Sequence, residues 1–160
     1  MAKRGGQRGR RTRARNLCHH FDGTELATCA RPGLEVLEVG HKPVVLGGAS
    51  IGCGVALDRC RQAHEPNARR WDYVFVVRDT DSGIGIEVHH TDPNEVDVMI
   101  EKKQWAEALL AKQCPDIDVE YWLWIASPPA SEIFLLPQHP YARRLADAGI
   151  QFPQASRRLP

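Results

Sequence analysis

Two runs constrain this chain more than anything else in it: WDYVFVVR over 71–78 and IGIEVHH over 84–90. Both are dense in β-branched and aromatic residues, and Asp79-Thr80-Asp81-Ser82-Gly83 between them is turn chemistry. Together they predict a β-hairpin. Pro93-Asn94 then opens a helix that runs to about Lys112, with Thr91 or Asp92 as its cap and Pro93 at the first helical position. Cys114-Pro115-Asp116 breaks it, and VEYWLWIA over 119–126 predicts a strand long enough to be central. Alternation of strands and helices points to an α/β domain.

The rest of the chain is read around that centre. At 160 residues it fits one domain with one core. Residues 1–15 form a disordered basic arm, 16–48 an irregular lead-in with short strands, 49–153 the α/β domain and 154–160 a C-terminal tail. Leu34–Val39 and Val44–Leu46 are short β-prone runs suited to an edge strand or hairpin. Ile51, Val55, Ala56 and Cys60 recur at helical spacing after Ser50, which predicts a helix over roughly 50–64. GGASIGCG lacks the GxxxxGK[ST] lysine of a phosphate loop. Ile133–Leu136 reads as a short strand, Pro140–Ala148 as a last helix capped by Gly149, and 150–160 as extended and basic.

Charge is unevenly spread. Seven of the 21 basic residues fall in the arm, which leaves 14 in the body against 20 acids. Arg8, Arg10, Arg11, Arg13 and Arg15 are therefore candidate nucleic-acid contacts, acting on phosphates by counterion release, with a solvated tail as the alternative. No apolar h-region and no window near 18 apolar residues occurs, so the chain reads as soluble, cytoplasmic and without a membrane partner. Five cysteines are an odd number without the dense spacing of a disulfide scaffold, and are expected to be reduced. Cys18, His19, His20 and Cys29 carry zinc-donor chemistry at a spacing that matches no usual zinc module. Cys53 and Cys60 are expected as core residues on one helix face.

The hairpin carries the most pointed chemistry. Glu87 and His89 lie two apart on one strand and so share a face, together with Gly83 and Gly85, while Ile84, Ile86 and Val88 share the other. With the turn centred between Asp79 and Gly83, Asp72 falls opposite residues 88–90 on the partner strand. Two carboxylates and an imidazole converging at the hairpin's open end outline a site for Mg2+ or Mn2+. Glycines beside the acid leave room for a ligand. Asp79 and Asp81 read as turn formers, although either can substitute for Asp72. On the following helix, the apolar arc through Val96, Met99, Leu109 and Leu110 encloses Lys102 and Lys103, and Lys103 projects between Leu110 and Val96.

The run Asp72 … Glu87-Val88-His89, with an apolar strand after the Asp and before the Glu, resembles the D…(D/E)xK signature of the PD-(D/E)xK nuclease superfamily over about residues 50–126. The resemblance implies a restriction-endonuclease-like mixed sheet flanked by helices. It also implies Mg2+ (or Mn2+) held by Asp72 and Glu87, and Asp58 as the acid of the preceding helix. His89 stands in the lysine's place, with Lys103 as the lysine migrated to the next helix. The implied activity is hydrolysis of nucleic-acid phosphodiester bonds. The family's core has three strands between its two helices, where this sequence marks two.

Two other readings remain open. A catalytically silent nucleic-acid- or protein-binding adaptor of the same fold suits the body's negative charge. His89-His90 at a strand end before Asn94 also sketches an HNH-like metal finger, although no histidine follows between Asn94 and Lys112 to complete it.

Overall fold

The computed structural model describes residues 16–130 and 139–160. After a 3-10 turn at His19–Phe21, the elements run β1 (Arg31–Pro32), β2 (Val45–Gly47), β3 (Ile51–Ala56), α1 (Leu57–Arg61), β4 (Tyr73–Val77) and β5 (Ser82–Thr91). They continue with α2 (Glu95–Gln113), β6 (Asp118–Ala130), α3 (Pro140–Asp147), β7 (Ile150–Gln154) and β8 (Arg157–Leu159). Six strands form one mixed sheet in the order β1-β3-β4-β5-β6-β7, and β2 and β8 pair separately in parallel. The α/β expectation holds. The arm with its five arginines, and the strand expected at Ile133–Leu136, lie outside the described residues.

The hairpin forms as its turn chemistry requires: β4 and β5 are antiparallel, with Tyr73 opposite Ile86 and Phe75 opposite Ile84. Asp79 takes the left-handed conformation at the turn, φ 61°, which Asp tolerates better than most residues. β5 and β6 are parallel, and such a pair needs a crossover, which α2 supplies. β6 lies between β5 and β7, the interior position its aromatic run suggested.

The helix expected over 50–64 is instead strand β3 followed by the five-residue α1. Gly52 and Gly54 would each cost a helix interior about 1 kcal/mol relative to Ala. In a strand they permit close approach: a Cβ on Gly54 would lie 2.5 Å from the Phe75 ring. All six β3 residues are buried, so the segment carries no alternation, and a doubly buried strand cannot be told from a helix by period. Ser50 joins the ladder rather than capping a helix, since its carbonyl accepts from Arg78 N at 2.6 Å.

The sheet has a core on each face. On one lie Trp71, Val74, Val76, Trp122 and Trp124 with Val96, Met99, Ala106, Leu109 and Leu110 of α2, Leu145 of α3, and Phe21 and Leu26 of the lead-in. On the other, Tyr73, Phe75, Ile84, Ile86, Val88, Leu123 and Ile125 are covered by Val36, Leu37, Val45 and Leu159. The lead-in and the last strand therefore both contribute to the core.

The cysteine expectation is overturned. Cys18 is bonded to Cys53 and Cys29 to Cys60, with only Cys114, buried, left free. The lead-in packs onto β3 and α1, which brings together residues 35 and 31 positions apart that no local spacing relates. Cys18 and Cys29 are thus not thiolate donors for zinc, and Cys53 and Cys60 do not share a helix. Such bonds persist in oxidising surroundings, a point against the cytoplasmic expectation. Among the described residues no helix is long and apolar enough to cross a membrane.

Candidate metal centre

Continuing the β4–β5 register one step beyond Tyr73–Ile86 sets Asp72 opposite Glu87. The two carboxylates clasp each other's strands. Asp72 N donates to Glu87 Oε2 at 2.9 Å, and Val88 N donates to Asp72 Oδ2 at 3.0 Å. Glu87 is fully buried, on the face that receives α2. Its other oxygen, Oε1, accepts from Lys102 Nζ. Among the described residues no hydrogen bond reaches Asp72 Oδ1.

The lysine at the site is therefore Lys102 and not Lys103. The buried stripe of α2 runs Val96, Met99, Ala106, Leu109, and Lys102 occupies the stripe's step between Met99 and Ala106. Lys103, one position round the helix, pairs with Glu107 and sits 5.4 Å from the centre of a Trp122 ring.

Burial and the neighbouring Asp72 charge push Glu87 up to about 8, although the Lys102 ammonium and the Asp72 N–H pull the other way. Asp72 is raised too, by burial first, with the Val88 N–H, Lys102 and His41 opposing and Asp58 adding to the rise. Two neighbouring carboxylates in a poorly hydrated place cannot both ionise cheaply, so they titrate as a pair that retains a proton near neutral pH.

His89 shares Glu87's strand face but bonds elsewhere: its Nε2 lies 3.1 Å from Glu95 Oε2. Burial and the Lys102 charge hold its pKa below the usual value, against the pull of Glu95. Asp58, on α1, pairs with Arg70 at 2.9 Å, and reaches Asp72 through its charge alone. His41 was not anticipated. Its Nδ1 lies 2.8 Å from the Tyr73 hydroxyl, one residue from Asp72. Asp79 and Asp81 belong to the closed end of the hairpin, where Asp81 lies 3.7 Å from His20, and neither replaces Asp72.

The space expected beside the glycines is filled. A Cβ on Gly85 would lie 2.3 Å from the Trp122 ring and one on Gly83 2.9 Å from Ile117, so these glycines admit side chains of this chain and not a ligand. The roomier depressions lie away from the carboxylates. One of about 450 Å3 is bounded by His19, Arg78 and Asp81, and another of about 550 Å3 by Ile84, Tyr121 and Leu159.

No family model matches the chain, and no curated protein or solved structure matches it significantly. The site must speak for itself.

Its donor set is two carboxylates, with Asp72 Oδ1 free of hydrogen bonds among the described residues, a hard-oxygen set that suits Mg2+ or Mn2+ better than a softer ion. The retained proton is consistent with that fit, because a divalent cation can take its place in balancing two crowded carboxylates.

Proposed function

We propose that Asp72, Glu87 and Lys102 form the centre of a metal-dependent phosphodiester hydrolase of the PD-(D/E)xK kind, with Lys102 on α2 taking the part of the motif's lysine. The observation that carries this reading is two carboxylates that each accept a backbone N–H from the other's strand, both raised in pKa, with a lysine from the next helix on Glu87. Strand β3 lies before α1, so only β4 and β5 fall between the two helices, where the resemblance expects three strands.

Asp72 would hold the cation through Oδ1, and Glu87 through Oε1 once Lys102 yields that oxygen. A divalent ion there polarises a phosphoryl oxygen and lowers the pKa of a bound water. Lys102, freed from Glu87 but still tethered by the α2 stripe, would donate a hydrogen bond to the attacking water. His89 is less suited to that part, since its Nε2 is engaged by Glu95. The arginines of the arm would add phosphate contacts that carry no sequence information.

One observation favours the adaptor reading instead. Glu87 is completely enclosed and each carboxylate already accepts a backbone N–H, which is a sufficient structural use for both. The assay that separates the two is Mg2+- or Mn2+-dependent cleavage of single- and double-stranded DNA and RNA by the wild type, Asp72→Asn and Lys102→Met. Cleavage lost in both variants supports the hydrolase; a folded wild type that cleaves none of these substrates supports the adaptor.

A further inference from the structure

His89 and His90 are consecutive in β5, so in a regular strand their rings would point to opposite faces. Here they do not. The β5–β6 ladder is irregular between His90 and Thr91: His90 pairs with Ser127 but Thr91 with Ala130, two residues further along than regular pairing allows. Pro128 and Pro129, which fall in that gap, have no N–H to give a ladder. Just before that break the two imidazoles lie close together, ring centres 4.2 Å apart and planes tilted by 36°.

Glu95, in the first turn of α2, closes the group. Its Oε2 lies 3.1 Å from His89 Nε2 and its Oε1 3.6 Å from His90 Nε2. For metal–ligand bonds of about 2.0–2.1 Å, two donors of a tetrahedron are separated by about 3.3 Å. Each imidazole lies close to that separation from one of the two Glu95 oxygens. All the donor atoms lie within 4.8 Å of one another, so the third edge closes by at most about 1.5 Å, within reach of a side-chain rotation. The group is partly open: the side chains of His89, His90 and Glu95 keep 29%, 52% and 22% of their exposure, which leaves room for a fourth ligand from water. The site is anchored on its sheet side, because Trp124 Nε1 donates to the His89 carbonyl at 3.1 Å.

We propose that His89, His90 and Glu95 bind a first-row transition-metal ion of borderline softness, Zn2+ foremost, at a site separate from the Asp72–Glu87 pair. Two imidazole nitrogens and one carboxylate suit such an ion, where the all-oxygen pair suits Mg2+. The ion would tie the end of β5 to the start of α2, the two elements that present Glu87 and Lys102 to each other. The inference stands whether or not the carboxylate pair is catalytic.

The test is titration of the full-length protein with Zn2+ by calorimetry and with Co2+ by visible absorption, on wild type, His90→Ala, Glu95→Gln and Asp72→Asn. His90 is exposed enough, and the Glu95 change conservative enough, for both variants to fold. Wild type and Asp72→Asn should bind one ion with the ligand-field bands of low-coordinate Co2+. His90→Ala and Glu95→Gln should each lose affinity by at least the roughly 10- to 100-fold that loss of a mere outer-shell partner costs. The proposal is overturned by a wild type that binds neither ion, by affinities unchanged in both His90→Ala and Glu95→Gln, or by binding that disappears in Asp72→Asn.

Discussion

Glu87→Gln should change the sign of its effect on stability with pH. In the wild type the Glu87 carboxyl titrates at about 8 when folded, against 4.5 for the ordinary side chain. Between those values the native state holds more protons than the unfolded one, so wild-type stability falls as pH rises, fully retained below 4.5 and lost progressively towards 8. At about 1.4 kcal/mol for each unit, the loss is under 1 kcal/mol at pH 5, about 3 at pH 7 and about 4 at pH 8. Glutamine escapes that loss but has its own cost. Its single carbonyl can accept from Asp72 N–H or from Lys102 Nζ, not both, and the amide nitrogen then faces the remaining donor, a mismatch of about 1–3 kcal/mol. The variant should therefore be less stable than wild type at pH 5 and as stable or more so at pH 8, a swing of about 3 kcal/mol. In a protein of this size that is about 10 °C in Tm. The assay is chemical and thermal denaturation of both proteins from pH 5 to pH 8 with chelator present; titrations outside the Asp72–Glu87 pair cancel in the difference. A difference that stays flat across this range would refute the account of Glu87 as a buried, proton-holding carboxyl.

Other perturbations separate the remaining parts of the account. Lys102→Met should destabilise by about 3 kcal/mol at pH 8 and less at pH 5, because it strips the cation from a buried carboxylate pair, as denaturant titration can measure. Lys103→Met, whose partner Glu107 is half exposed, should cost less than about 1 kcal/mol. Thiol counting on the denatured protein should find one reactive cysteine before reduction and five after it, and removing either disulfide by paired serine substitution should cost up to about 4 kcal/mol for loops of this length. Five thiols without reduction would contradict the pairing. Deleting residues 1–15 should leave the melting curve unchanged and flatten the slope of log K against log salt for nucleic acid by up to roughly 6 units. An unchanged slope would remove the arm as the binding element.

Where local chemistry decides structure, the sequence was readable: the turn residues between β4 and β5, the break after α2, and Gly149, which takes φ 72° after α3. Where distant partners decide, it was not. β3 reads as a helix because a strand buried on both faces has no alternation to display, and its glycines find their purpose only against Phe75 and Arg78. The disulfides join segments whose proximity exists only once the lead-in has folded over β3 and α1. In the candidate site the strand parity of Glu87 was legible from spacing alone, but the turn set Asp72 opposite residues 88–90, whereas the ladder sets it opposite Glu87. The choice between Lys102 and Lys103 was not, because both lie within the apolar arc and only the position of β5 beneath α2 separates them. The approach of His90 to His89 carries no signal of its own in the sequence, since consecutive strand residues ordinarily face opposite ways.

If Asp72 and Glu87 form the proposed metal centre, a divalent cation takes the place of a proton between them. Calorimetric titration with Mn2+ at pH 7, in buffers of differing ionisation enthalpy and in a His90→Ala background that removes the neighbouring histidine group, measures the proton count directly. The account expects one ion bound and close to one proton released for each ion, because Glu87 retains its proton at that pH, and expects Glu87→Gln in the same background to release none. Binding without proton release, or no binding at all, would contradict it.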